Sequence, residues 1–117
     1  MATPQQSVLV VDDEPSLRLL CRVNLEIEGY RVLEAATVEA AHDLLARETI
    51  DVVLLDMHIG SGSGLEVLAA IEEQGLPVRI IVLSGTSEIT PELRARAHSV
   101  LGKPFGLAEL AAAVAGR

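Results

Sequence analysis

Five polar residues stand where short apolar runs end: Asp12 and Asp13 after Val8 to Val11, Asp56 after Val52 to Leu55, Ser84 after Ile80 to Leu83, and Lys103 after the weaker run Ser99 to Leu101. Adjacent carboxylates repel by about 4 kcal/mol at 4 Å with an effective dielectric near 20, so the Asp12-Asp13 pair calls for a cation. Three carboxylates against one ammonium leave a formal charge of about -2, which a hard divalent cation with oxygen ligands would neutralise, Mg2+ being the usual choice beside phosphate. A carboxylate can also attack phosphorus and form an aspartyl-phosphate, after which catalysis is mostly positioning and charge stabilisation. An ammonium such as Lys103 pairs with one phosphoryl oxygen as a point charge, while the Ser84 hydroxyl donates to another.

The segments that carry these residues fix how they meet. Val8 to Val11, Val52 to Leu55 and Ile80 to Leu83 are short, continuous and rich in β-branched residues, as suits strands buried on both faces. Arg31 to Glu34 and Ser99 to Leu101 read as two weaker strands. Between them run helical spacings: Leu17, Leu20, Cys21 and Leu25; Val38, Ala41 and Leu45; Leu65, Leu68 and Ala69; Leu107, Leu110, Ala111 and Val114. Thr37 is a helix cap, Gly29 and Gly75 follow helix ends, and Thr90-Pro91-Glu92 reads as a cap with proline at the first helical position. Strands alternating with helices predict a doubly wound parallel sheet with helices on both faces. In such a sheet, side chains just past the carboxyl ends of the strands converge on one edge, where ligands bind. The five polar residues therefore share one site.

Composition bounds the rest. A chain of 117 residues with 50% hydrophobic content makes one domain with a real core. Residues 1–6 read as a flexible tail and 7–116 as a single domain, with GSGSG at 60–64 a loop within it. The net charge of -8 argues against direct nucleic-acid binding, and no apolar run approaches the roughly 18 residues of a membrane span. One cysteine excludes an internal disulfide, and no basic segment precedes an apolar one at the N-terminus, so the expected compartment is the cytoplasm.

Together VVDDEP, VLLDMHIGSGSG, IVLSG and LGKPF resemble the receiver domain of two-component response regulators, over about Ser7 to Gly116. The resemblance implies a five-stranded flavodoxin-like sheet of order 2-1-3-4-5. It implies Asp56 as phosphoacceptor, and Mg2+ held by Asp12, Asp13, Asp56 and the backbone carbonyl of His58. Ser84 and Lys103 take the family's Ser/Thr and lysine positions, and Lys103-Pro104 becomes a candidate cis bond. His58 and Thr86 fall where the family tunes hydrolysis of the aspartyl-phosphate. The partners implied are a histidine kinase or histidine phosphotransfer protein upstream, and a downstream protein or fused output domain. The domain would catalyse its own phosphotransfer and dephosphorylation without being an enzyme in the usual sense.

Three positions depart from the family pattern. Val100 stands where a switch aromatic that moves with Ser84 is usual, the segment between Ser84 and Lys103 is short, and Gly60 replaces a proline, giving that loop more backbone freedom. A shortened fourth helix is expected. An alternative reading is a receiver that binds proteins without phosphorylation. An aspartate-based phosphatase is disfavoured, because His58 occupies the place of its second aspartate and no cap domain fits.

Single residues also have plainer readings. An isolated Asp-Asp is usually a turn or cap, GSGSG lacks the ending of a phosphate-binding loop, and the His58 ring has too few His or Cys neighbours to ligate a metal. His42 and His98 read as surface residues, and Cys21 as core packing. The altered fourth helix predicts an output surface unlike the common one, and amide exchange showing the usual fourth-helix response to phosphorylation would contradict this.

Overall fold

The computed structural model describes residues 5–85 and 89–116, so residues 1–4 of the expected tail and Thr86 lie outside the described residues. In chain order the elements are β1 (Ser7–Val11), α1 (Pro15–Ile27), β2 (Arg31–Ala35), α2 (Val38–Arg47), β3 (Val52–Asp56), β4 (His58–Ile59), β5 (Gly62–Ser63), α3 (Gly64–Gln74), β6 (Arg79–Ser84), α4 (Pro91–Arg96), β7 (Ser99–Gly102) and α5 (Leu107–Ala115). Five strands pair in parallel in the order β2-β1-β3-β6-β7, which is 2-1-3-4-5 among the long strands. The β1–β2 ladder continues to Gln6, whose carbonyl accepts from Arg31 N–H at 2.9 Å.

Strand side chains alternate between two apolar layers, as a period of two requires. Val8, Val10, Val52, Leu54, Ile81, Leu83 and Leu101 face Cys21 and Leu25 of α1 and Leu110 and Val114 of α5. Leu9, Val11, Val53, Leu55, Ile80 and Val82 face Ala41 and Leu45 of α2, Val67, Leu68 and Ile71 of α3, and Leu93 of α4. The apolar strands are thus covered on both sides, which leaves their carboxyl ends as the place where polar side chains emerge.

Local chemistry fixes the helices. Thr37 Oγ1 accepts from Ala40 N–H at 3.0 Å and Thr90 Oγ1 from Leu93 N–H at 3.1 Å, each satisfying an otherwise orphaned donor. At the far end of α5, the Arg79 guanidinium donates to the carbonyls of Val114 and Ala113 at 2.7 and 2.8 Å. The fourth helix has 6 residues, the shortest among those described, and buries Leu93.

The GSGSG segment is more ordered than the sequence suggests. His58 pairs with Ser63 and Ile59 with Gly62 in an antiparallel hairpin, turned by Gly60 and Ser61. Gly60 has φ +59° and Ser61 a negative φ, the signs of a turn with glycine at its first central position. Ser63 then caps α3, accepting from Leu65 N–H while Glu66 accepts from Ser63 N–H. His98 is exposed, as expected, but its Nδ1 accepts from Ile80 N–H at 2.9 Å and so closes the β6 edge.

The first turn of α3 lies directly under the end of β3. A Cβ on Gly64 would sit 2.3 Å from the Asp56 carbonyl oxygen and 2.6 Å from Met57 Cε. Gly64→Ala should therefore destabilise the domain by about 1–3 kcal/mol, measured by urea unfolding. An unchanged midpoint would show that the backbone relaxes freely there.

Candidate functional site

At the carboxyl edge of the sheet, β1 delivers Asp12 and Asp13, β3 delivers Asp56, β6 delivers Ser84, and the chain leaving β7 delivers Lys103. The strand order reverses about β1 and β3, so their ends flank the crevice where open α/β sheets bind ligands. Asp12, Asp56 and Lys103 fall on the same side of their strands as Val10, Leu54 and Leu101. That shared parity brings them together. Lys103 Nζ lies 3.1 Å from Asp12 Oδ2 and 3.2 Å from Asp56 Oδ2. The Lys103-Pro104 peptide is cis.

Asp12, Asp13 and Asp56 each offer a carboxylate oxygen within 4.8 Å of the others. Each also accepts one backbone N–H: Asp12 from Glu14 at 2.9 Å, Asp13 from Gly60 at 2.8 Å, and Asp56 from His58 at 3.4 Å. Asp12 is fully buried and Asp56 is 7% exposed, while Asp13 is open to solvent. Three charged oxygens around one point, with free lone pairs and one partly exposed member, form a donor set suited to a hard divalent cation.

The electrostatics point the same way. Burial, then the charge of Asp12, push the Asp56 carboxyl above the usual range, and Lys103 with its hydrogen bond offsets this only in part. Burial lowers Lys103, but its hydrogen bond to Asp12 and the charges of Asp12 and Asp56 outweigh that, so it stays a cation well past neutrality. Cys21, in the α1 layer below, is raised to about 11 by burial and the Asp12 charge, and is inert packing at neutral pH.

The structure gathers the predicted residues unevenly. Ser84 is buried at the end of β6, one residue beyond Leu83, which pairs with Asp56. His58 is exposed on β4 beside the site. Val100 pairs with Val82 and packs into the α2–α3–α4 layer. Thr86 lies outside the described residues. Sequence reasoning missed two contributors, Gly60, whose N–H orients Asp13, and Gly64, whose missing side chain lets α3 approach Asp56. The Gly-Ser turn between residues able to pair was the signal for the first; the second had none.

The sequence matches the response regulator receiver domain family over residues 8–115. Transcriptional regulatory protein KdpE of Mycobacterium tuberculosis is 38% identical over 108 residues, which cover 90% of this chain and 47% of that protein. The chain thus spans about half the length of that relative. Sporulation initiation phosphotransferase F of Bacillus subtilis is 32% identical over 114 residues, 93% of this chain and 90% of that protein. Among solved structures, response regulator TrrA of Thermotoga maritima, in complex with Mg2+-BeF, superposes with a TM-score of 0.88 at 31% identity, covering 96% of this chain and 98% of that one.

A carboxyl raised in the folded state favours folding below its unfolded pKa, and that contribution is lost as pH rises through the folded value. Without metal at pH 7, Asp56→Asn should therefore raise the melting temperature. The gain should shrink as the pH falls into and below the carboxylate range. A variant less stable at pH 7 would show that the Lys103 pairing outweighs the repulsion.

Proposed function

Because the chain belongs to the response regulator receiver domain family, a signalling module of two-component systems, we propose that Asp56 accepts a phosphoryl group from a histidine kinase or histidine phosphotransfer protein. The observation that carries this is the Lys103 ammonium held between Asp12 and Asp56, beside a third carboxylate. Asp12, Asp13, Asp56 and the His58 carbonyl would hold Mg2+, which neutralises the carboxylates and the incoming phosphoryl oxygens when bound. TrrA, with its Mg2+-BeF, supports that choice of ion.

In the transfer, an Asp56 oxygen attacks phosphorus, the O–P bond forms and the donor's N–P bond breaks, the electron pair leaving on the imidazole. Lys103 is already within reach of Asp56 Oδ2 and pairs with a phosphoryl oxygen. The Ser84 hydroxyl donates to another. Hydrolysis reverses the bond: water attacks phosphorus, the carboxylate leaves and inorganic phosphate is released. His58, exposed beside the site, and Thr86 tune the access of that water.

Phosphorylation adds charge and strong acceptors at Asp56, and Lys103 and Ser84 respond to it. With Val100 in the strand, no ring accompanies Ser84, so the switch runs on these two polar groups. The upstream partner meets a largely apolar margin beside the site: a groove of about 360 Å³ lined by Glu14, Leu17, Leu20, Lys103, Pro104 and Phe105, with exposed Val23 and Ile27 further along α1. Output passes through a separate protein or a fused domain in the cytoplasm. Among the described residues no helix is long and apolar enough to cross a membrane.

Intact mass after incubation with acetyl phosphate and Mg2+ tests the reading. A gain of one phosphoryl group, absent from Asp56→Asn and from a metal-free control, is expected. No adduct with acetyl phosphate, and no binding of beryllofluoride, would overturn it in favour of a phosphorylation-independent module.

A further inference from the structure

Arg18, on α1, is a half-buried cation that the chemistry above does not use. Its side chain is 16% exposed; Nη1 donates to the backbone carbonyl of Asp12 at 2.7 Å and Nε donates to Glu34 Oε1 at 3.1 Å. Glu34, on β2, is held in turn by Arg22. Arg18 thus ties the end of β1 to the neighbouring strand through a side-chain bridge, just where the backbone ladder stops.

The Asp12 carbonyl belongs to the planar peptide that joins Asp12 to Asp13. Fixing that oxygen fixes the plane, and with it the position from which Asp13 projects. The preceding peptide is pinned as well, since Asp12 N–H donates to the Ala35 carbonyl at 3.1 Å. Asp12 is therefore clamped on both sides, by a strand partner before it and a guanidinium after it. The carboxylates need such a clamp because they repel, and the swing that would separate them is a rotation of this peptide. A charge-assisted bond of 2.7 Å is well suited to resist it.

We propose that Arg18 is a positioning residue for the divalent-cation site: by locking the Asp12-Asp13 peptide plane it holds the two carboxylates in the relative orientation that metal binding needs. Glu34 completes the device by keeping the guanidinium at the carbonyl and out of the acidic pocket, where it would compete with the metal. The inference rests on the Mg2+ site proposed above. Groups that orient metal ligands commonly contribute about 10- to 100-fold to affinity.

The test is Mg2+ titration by isothermal calorimetry on the full 117-residue chain, as wild type, Arg18→Met and Arg18→Lys, with thermal melts of each. Arg18→Met, which keeps the stem and removes the donors, should weaken Mg2+ binding about tenfold, and Arg18→Lys should fall between it and wild type. Phosphorylation by acetyl phosphate should need correspondingly more Mg2+ for half-maximal rate, yet reach a near wild-type rate at saturation. A lowered melting temperature with unchanged Mg2+ affinity would overturn the inference, leaving Arg18 a merely structural tie. Should Arg18→Met fail to fold, Arg18→Lys decides by the same criterion. A wild-type chain that binds no Mg2+ would remove the metal site itself, and this inference with it. Binding by wild type and Arg18→Met alike would remove only the inference.

Discussion

Everything at this site follows from three like charges held closer than they would choose. Asp12, Asp13 and Asp56 meet within 4.8 Å with one ammonium between two of them. Burial, and after it the charge of Asp12, hold the Asp56 carboxyl above its usual range despite Lys103. Such crowding persists only where the backbone cannot move apart. One backbone N–H is aimed at each carboxylate, and each donor comes from a different tight feature: the entry to α1, the tip of the β4–β5 hairpin and the turn after β3. The site is thus held unsatisfied by design of the chain around it, ready for added positive charge.

The force that keeps the backbone in place is apolar. Val8 to Val11 and Val52 to Leu55 are at most 1% exposed, packed by α1 and α5 on one side and by α2, α3 and α4 on the other. A slip of one residue would turn the strand's side chains to the wrong layers, so register is fixed by burial. Register then sets chemistry. Asp12, Asp56 and Lys103 share a parity and converge, while Ser84 and Val100 fall on the other parity, on the α4 side.

What could be read from the sequence follows the same division. The strands, their order as implied by the resemblance, and the convergence of Asp12, Asp13, Asp56 and Lys103 were legible, because apolar runs ending in polar residues carry both packing and position. The short α4 was legible from the few residues between Ser84 and Lys103. The hairpin was not: Gly60-Ser61 is a two-residue turn signal, but the flanking pairs His58-Ile59 and Gly62-Ser63 are too short to show the alternation of strands. Gly64 and Arg18 were invisible for another reason. Their roles depend on what lies above them in space, an Asp56 carbonyl and an Asp12 carbonyl, and no local pattern encodes such a neighbour.

The same geometry bears on where a change at Asp56 is felt. Both aromatic side chains, Tyr30 and Phe105, pack into the α1–α5 layer, and Val100 fills its place in the opposite one. Helix α4 spans 6 residues, buries Leu93 and is tied to α3 by an exposed Arg96–Glu72 pair. A helix so short has little cohesion of its own and is a weak lever. Lys103, by contrast, joins Asp12 and Asp56 to Pro104 and Phe105, and Phe105 contacts the layer that α5 completes. Helix α5 is held at its far end by Arg79, a residue of the sheet itself. The Lys103 ammonium is thus joined through Pro104 and Phe105 to the α1–α5 layer, whereas Ser84 and Val100 lie on the side covered by the six-residue α4.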